Sequence, residues 1–298
     1  MSDTLQLEEE TIVSGDAVLS LGDRMKDHEV RARTFLPRGT NIIIRLDGVG
    51  FSKFTKGLDR PFDADFINAM DETAKELCSR IQGAKCAFVQ SDEITILVTD
   101  YDSITSAGWY DNQVQKMCSV AAGIATARFN RVFKHKTTDT EGYFDARVFS
   151  VGYAEEVVNC FLWRQQDCTR NSISSVAQVL YSHTELNGKK SDGPGGKIDM
   201  IFDKSPELIA IMTANGTLPE ELKCREKINW ADLPTGMKRG RFITNQTYMQ
   251  TERPVDAHPR WQPGMRNRWV AEGAPIFSQD RRAILCLLPN YIPVNELN

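Results

Sequence analysis

The sequence predicts an α+β fold in which a split β-α-β-β-α-β unit of ferredoxin-like topology carries appended helices and an irregular C-terminal extension. The 298 residues allow one large or two modest domains, and 41% hydrophobic with 26% charged residues is typical of globular proteins. No apolar run approaches the roughly 18 residues of a membrane-spanning helix, and the acidic first ten residues do not resemble a signal peptide. We therefore expect a cytoplasmic protein with no membrane partner.

The first strand and helix follow from their apolar periodicity. Residues 41–46 (NIIIRL) form a β-branched run that ends in Asp-Gly-Val-Gly, which predicts a buried strand and a tight turn. From Phe66 to Ile81 apolar side chains recur at three- and four-residue steps. This spacing predicts a helix with Asp63 or Asp65 as its N-cap.

The second half of the unit is a hairpin, a helix and a strand. Residues 85–89 and 94–98 are apolar runs separated only by Gln-Ser-Asp-Glu, which predicts a hairpin. A helical stripe over about 112–130 and an apolar run at 146–151 complete the order strand, helix, strand, strand, helix, strand.

Four regions are predicted along the chain: an acidic and mobile leader at 1–23, a catalytic core at 24–152, a helical and loop region at 153–240, and a basic extension at 241–298. Six prolines after residue 241 indicate irregular chain with short strands in the extension. Nine Lys or Arg lie against four acids between Lys238 and Arg282, among aromatic residues. Such a stretch can hold RNA phosphates and stack bases, and a solvated surface with a few buried aromatics is the alternative.

The cysteines and histidines exclude two classes of site. Seven cysteines without a CxxC pair are not typical of a disulfide framework or a zinc cluster, and we expect buried thiols. The four histidines form no metal-ligand motif. Carboxylates would therefore hold any metal, which favours Mg²⁺ or a similar hard ion.

Two acids are predicted to meet at one edge of the sheet. In this topology the third strand lies antiparallel beside the first, which brings Asp47 and the hairpin turn with Asp92 to the same edge. Converging carboxylates could bind one or two Mg²⁺ ions bridging a nucleoside triphosphate, and the glycines of Gly48 to Phe51 would let backbone approach the phosphates. Ordinary turn chemistry is the alternative for either motif alone.

The chain also resembles the tRNA-His guanylyltransferases and their 3′-to-5′ polymerase-like relatives of bacterial and phage type. The resemblance covers about residues 24–240, and it rests on RMKDHE at 24–29, RLDGVGFSKFTKGLDRPFD at 45–63, QSDE at 90–93, FDARV at 144–148, WRQQDCTRNS at 163–172 and INWADLPTGMKRG at 228–240. It implies a polymerase-like palm that adds nucleotides to the 5′ end of a tRNA, using two Mg²⁺ ions and ATP, GTP or other nucleoside triphosphates.

The resemblance also implies roles for individual residues. Asp47 and Asp92 match the family's metal-binding carboxylates, Gly48 matches its carbonyl ligand, and Glu93 matches the catalytic acid beside them. The implied nucleotide contacts are Val49, Gly50 and Phe51 in the turn that wraps a triphosphate, with Arg60, Ser91, Lys116 and Lys197. Arg164 and Asp167 belong to the WRQxDC segment, with a helix-surface ion pair as the alternative. The relatives' oligomeric habit implies a dimer or tetramer.

Two departures bear on the substrate. Residues 169–172 read Thr-Arg-Asn-Ser where eukaryotic members have His-Ile-Asn-Asn, and Ser52 stands where they have histidine. The pattern is similar to relatives implied to repair truncated tRNA 5′ ends on a template, rather than to add one G to tRNA-His. The alternatives are another palm-fold nucleotidyltransferase, such as a cyclase, and a non-catalytic RNA-binding relative.

Overall fold

A six-stranded antiparallel sheet organises the protein. A computed structural model describes residues 20–134, 140–254 and 262–291, with the backbone of 13–14 and 17–18. The strands are β1 (Val13–Ser14), β2 (Ala17–Val18), β3 (Asn41–Gly48), β4 (Ala84–Gln90), β5 (Glu93–Val98), β6 (Phe144–Val151), β7 (Arg241–Gln250) and β8 (Gly264–Gly273). The large sheet has the order β6-β3-β5-β4-β7-β8, and β1 pairs only with β2.

Helices cover both faces of this sheet. The helices are α1 (Leu21–Arg31), α2 (Phe51–Phe54), α3 (Ala64–Arg80), α4 (Val114–Val132), α5 (Ala154–Leu180), α6 (His183–Leu186), α7 (Lys197–Asp203), α8 (Ser205–Ala214), α9 (Thr235–Arg239) and α10 (Arg282–Leu285). Asp63 is the N-cap of α3, because its carboxylate accepts the Phe66 N–H at 2.9 Å. Of the two predicted caps, Asp63 is therefore the correct one.

The side chains of β3 alternate between the two faces of the sheet and so belong to two separate cores. Ile42, Ile44 and Leu46 are fully buried against α3 and α4, whereas Ile43 packs on the opposite face with α5. Full burial of such a side chain contributes about 1.5–3 kcal/mol, so β3 is held in one register. A third core lies between the C-terminal half of α5 and α7, α8 and the 3₁₀ turn Trp230–Asp232.

The four predicted strands correspond to β3, β4, β5 and β6 of the large sheet. β3 and β4 both run antiparallel to β5, which lies between them, and β6 pairs with the outer side of β3. The third strand therefore fills the place beside the first, as predicted. Within the predicted helical and loop region, residues 154–180 form one long helix and residues 197–203 form a short one.

In the described part of the C-terminal extension the chain forms two ten-residue strands, so the prediction of irregular chain with short strands was wrong there. β7 joins the sheet beside β4 and pairs with β8 over ten residues. The reason is that the prolines flank these strands instead of interrupting them: no proline occurs in 241–250 or 264–273. Phe277, one of the aromatic residues in the basic stretch from Lys238 to Arg282, is fully buried beside Phe88 and Phe242 and cannot stack on a base.

Other expectations have mixed outcomes. Three of the seven cysteines are buried, whereas Cys224 and Cys286 are exposed, so the prediction of buried thiols holds for only part of the set. The predicted leader lies largely outside the described residues, and α1 already begins at Leu21. Within the described ranges no helix is both long and apolar enough to cross a membrane.

Candidate functional site

Three carboxylates lie side by side where β3 ends and β5 begins. Asp47 is in register with Glu93 on β5 and with Asp145 on β6. Because side chains alternate along a strand, Asp47 belongs to the α5 face of the sheet, as Ile43 does. We refer to Asp47, Asp92, Glu93 and Asp145 together as the acidic edge.

Asp92 completes the acidic edge from the two-residue turn between β4 and β5. Burial raises the pKa of Asp92, and the negative charges of Asp47 and Glu93 raise it further, against the lowering effect of hydrogen bonds from its own backbone and from Ser91. The structure thus brings Asp47 and Asp92 together at the edge predicted from the topology. Their catalytic and metal-binding roles remain predictions.

Glu93 is held by an arginine of α5. Arg164 Nε lies 2.7 Å from Glu93 Oε1, and the second arm of the guanidinium lies 2.8 Å from Asp167. The Arg164 side chain is only 9% exposed, so this is a buried bridge between α5 and the hairpin instead of a helix-surface pair. With its charge matched by Arg164, Glu93 is suited to positioning the hairpin, and its catalytic role remains a prediction.

The turn after β3 is fixed from beneath by an aromatic cluster. The Phe51 ring is buried and packs against Phe54, Phe129 and Phe144. A Cβ at Gly48 would collide with that ring, and Gly50 has a φ of 69°, so glycine is required at both positions. Phe51 can therefore offer a ligand its backbone but not its ring.

A cavity of about 410 Å³ opens beside the acidic edge. Ser91 and Asp92 form one end of it, and Phe62 and Ile67 form an apolar wall. Most of the remaining lining is polar and comes from the middle and C-terminal half of α5, from α9 and from the first residue of β7: Asn171, Ser172, Ser174, Ser175, Gln178, Met237 and Arg241. Such a cavity suits a ligand with both an apolar face and hydrogen-bonding edges.

Two of the predicted basic residues lie next to this cavity. Lys197 Nζ donates to Ser174 Oγ at 3.1 Å, and Ser174 lines the cavity. Arg60 precedes Pro61, which also lines it, and the Arg60 carbonyl accepts from Asn215 Nδ2 at 2.7 Å. The contact of either side chain with a nucleotide remains a prediction.

Lys116 is not brought to this site within one chain. It lies in the first turn of α4, where Val114 N–H donates to the carbonyl of Thr34 in the segment that leads into β3. The acidic edge is at the other end of β3, and the Lys116 ammonium lies 4.7 Å from the centre of the Tyr110 ring. A contact between Lys116 and the nucleotide remains a prediction, and it is not possible at the acidic edge of the same chain.

Several residues of the site were missed from the sequence. Asp145 lies within the FDARV segment, but its pairing with Asp47 needs the register of β6. The cavity residues Asn171, Ser174, Ser175 and Gln178 recur at three- and four-residue steps, and this polar stripe on a helix with an opposite buried face was the available signal. Among the described residues no group of three or more His, Cys, Asp or Glu side chains is arranged to hold a metal ion. The carboxylates of Asp47 and Asp92 and the Gly48 carbonyl are therefore the candidate donors to a metal ion.

Comparison with known proteins identifies the family. The family model for tRNAHis guanylyltransferase matches residues 22–152. A solved structure described as a bacterial tRNA(His) guanylyltransferase-like protein in complex with ATP matches with a TM-score of 0.70 and 37% identity, over 90% of this chain and 99% of that one. This chain belongs to the tRNA(His) guanylyltransferase family. A structure with the same description in complex with GTP has a TM-score of 0.66 and 35% identity, over 90% and 98% of the two chains.

Relatives from a virus and a yeast match over shorter lengths. A protein of Acanthamoeba polyphaga mimivirus is 30% identical over 190 residues, which is 56% of this chain and 65% of the relative. The tRNA(His) guanylyltransferase of Debaryomyces hansenii is 28% identical over 147 residues, or 47% and 54% of the two chains. The matched segment thus spans less than two thirds of either of these two relatives.

Proposed function

We propose that this protein is a nucleotidyltransferase that extends the 5′ end of a tRNA in the 3′-to-5′ direction. The observation that carries the proposal is the convergence of Asp47 and Asp92 beside a cavity of nucleotide size. Pockets of about 300–1,000 Å³ are typical for small ligands. Membership of a family with members bound to ATP and GTP supports the same substrate class.

In this proposal the cavity takes the nucleotide base and the acidic edge takes the phosphates. The base would lie between the apolar wall of Phe62 and the polar side chains of α5. The triphosphate would then run past Ser91 and Asp92 towards the Gly48 turn, with Arg60 and Lys197 supplying positive charge at the margin.

The same residues fit a polymerase palm with two Mg²⁺ ions. Asp47, Asp92 and the Gly48 carbonyl offer only oxygen donors, which Mg²⁺ prefers. The raised pKa of Asp92 reflects burial and mutual repulsion with Asp47, and a cation would relieve both. Bound there, Mg²⁺ would lower the pKa of an attacking hydroxyl and offset charge on the phosphates.

The proposed reaction needs no covalent protein nucleophile. A 5′-monophosphate oxygen of the RNA attacks the α-phosphate of ATP or GTP, and pyrophosphate leaves. The 3′-hydroxyl of an incoming nucleotide then attacks the activated 5′ phosphate, and AMP or GMP leaves. Asp47 and Asp92 would hold the Mg²⁺ ions that keep the reacting phosphates in line, and pyrophosphate is removed from the new end or retained.

We propose template-directed repair of a shortened 5′ end as the preferred reaction. The test is competition between a tRNA lacking its first nucleotide and full-length tRNA-His, each 5′-phosphorylated, with ATP, Mg²⁺ and all four nucleoside triphosphates. We expect the shortened tRNA to be extended by the nucleotide complementary to the opposing base, as read by product sequencing. A strong preference for G on intact tRNA-His would contradict repair, and no transfer to either RNA would favour the non-catalytic alternative.

A further inference from the structure

A basic row lies directly behind the acidic edge. Arg45 is two residues before Asp47 on β3, and it is in register with Arg147 on β6. Both arginines therefore belong to the same face of the sheet as Asp47 and Asp145. Same-face neighbours along a strand are about 7 Å apart, so the basic row begins about 7 Å from the acids.

Arg45 has no polar partner in the described part of the chain. Its Nε atom is buried without a hydrogen bond, and no ion pair with Arg45 is present among the described residues. Its guanidinium carbon lies 5.8 Å from the centre of the Trp163 ring. A guanidinium that has no ion-pair partner leaves its charge available, so a ligand that supplies an anionic oxygen would bind here favourably.

The surface over the basic row is open. β6 is an edge strand, and the side chains of Asp145 and Arg147 are 50% and 56% exposed, with 3.8 Å between their charged atoms. Trp163 on α5 is 51% exposed and forms the opposite wall. The result is an accessible surface with two arginines, one aromatic wall and the acidic edge at its end.

The surface over the basic row and the cavity lie on opposite sides of the pair Asp47 and Asp92. In the order β6-β3-β5-β4, the basic row is on β6 and β3, whereas Ser91 and the cavity are at the end of β4. A phosphate on the basic row and a nucleotide in the cavity would therefore approach Asp47 and Asp92 from two sides. An in-line transfer between two phosphates requires this arrangement.

We propose that Arg45 and Arg147 bind the 5′-terminal phosphate of the RNA, with Trp163 as a stacking surface for its first nucleotide. The proposal rests on the proposed function and adds the site of the second substrate. Without fixed positive charge the acidic edge would repel a 5′ phosphate. Arginine is suited to this task because its planar guanidinium binds phosphate oxygens in pairs.

The test measures RNA binding without chemistry. The full-length protein is titrated with a 3′-labelled acceptor-stem hairpin carrying either a 5′-phosphate or a 5′-hydroxyl, in Mg²⁺ without nucleotide. We expect the wild type to bind the phosphorylated RNA about tenfold or more tightly, and R45Q/R147Q to lose that preference. Arg147→Gln alone changes an exposed side chain, and this variant should lose part of the preference for phosphorylated RNA. Arg45→Lys should retain part of that preference.

Controls distinguish a 5′-phosphate site from a nucleotide site and from a general basic surface. Arg80→Gln makes the same charge change as Arg147→Gln, but on an exposed arginine of α3, and it should leave the preference for phosphorylated RNA intact. ATP affinity should stay unchanged in R45Q/R147Q. If ATP affinity falls instead, the row binds a nucleoside triphosphate. If binding of both RNAs falls equally, the row is a general electrostatic surface. Either result, or a wild type without a phosphate preference, would overturn the proposal.

The transfer assay decides the proposed function separately. A 5′-phosphate preference that depends on both arginines, in a protein without nucleotide transfer, would contradict the function but not the phosphate site. Transfer by a protein whose R45Q/R147Q variant keeps the preference would contradict only the phosphate site.

Discussion

At the scale of single residues, the ionised carboxylate of Asp92 is expected to support nucleotide transfer while lowering the stability of the fold. Its folded-state pKa is raised by burial and by the charge of Asp47, so the ionised carboxylate destabilises the fold at any pH above that pKa. Asp92→Asn should therefore lower nucleotide transfer by about 100-fold or more while leaving the Tm unchanged or raised. The gain in Tm should shrink as the pH falls through the raised pKa, because the wild-type carboxyl is then neutral as well.

Thermal unfolding also tests the metal proposal without an activity assay. Mg²⁺ that binds the folded protein should raise the Tm of the wild type but not that of Asp92→Asn. Asp47→Asn should behave in the same way. A wild-type Tm independent of Mg²⁺, or transfer at near-wild-type rate in either variant, would exclude these carboxylates as the metal site.

The Glu93–Arg164 pair makes a different prediction. Both side chains are nearly buried, so Arg164→Met leaves Glu93 as an uncompensated charge and should lower the free energy of unfolding by about 3 kcal/mol. The exposed control, Arg80→Met, breaks a surface pair with Glu76 and should cost less than about 1 kcal/mol. Equal effects in urea unfolding would show that the bridge between α5 and the hairpin is not structural.

At the scale of elements, the sequence predicts local patterns better than pairings between distant segments. β3, α3 and the β4–β5 hairpin were predicted because each buries a continuous apolar pattern. β7 and β8 were missed because Thr, Asn, Gln and Arg interrupt their apolar pattern, and nearby prolines suggested breaks. The pairing of β7 with β4 links residues more than 150 positions apart, which no local pattern reveals.

The β7–β8 hairpin carries its own prediction. β4 pairs with β7 only over 241–244, so residues 245–250 and 264–269 extend beyond that pairing as a two-stranded arm. Arg268 lies over the Tyr248 ring at 4.9 Å, and Arg266 is exposed beside it. If the arm contacts tRNA phosphates, R266Q/R268Q should weaken tRNA binding and reduce the slope of log affinity against log salt by about 0.7–0.9 per lost contact, with ATP affinity unchanged. An unchanged slope with an altered mass in solution would assign the arm to a chain–chain interface.

At the scale of the whole molecule, the cavity could not have been predicted because four separate segments form it. The turn before α3 with the start of that helix, the β4–β5 turn, the polar stripe of α5 and the α9–β7 segment meet only when the sheet and the third core are assembled. The acid pair was predictable because it needs only the strand order of one compact unit. Lys116 shows the limit of that reasoning, since a residue-by-residue resemblance carries no information on which end of the sheet a residue occupies.

Lys116 therefore yields a prediction about assembly. If it contacts the nucleotide, it must do so in the site of another chain, because α4 places it at the end of the sheet opposite its own acidic edge. Lys116→Ala and Asp92→Asn should each be inactive alone, yet mixed and reassembled chains should recover up to about a quarter of wild-type transfer, since half of the dimers are mixed and one of their two sites is intact. Asp47→Asn mixed with Asp92→Asn is the matched control and should recover nothing, because both acids belong to one chain's site. Full activity of Lys116→Ala, or a monomeric mass by light scattering together with no recovery, would remove Lys116 from the nucleotide site.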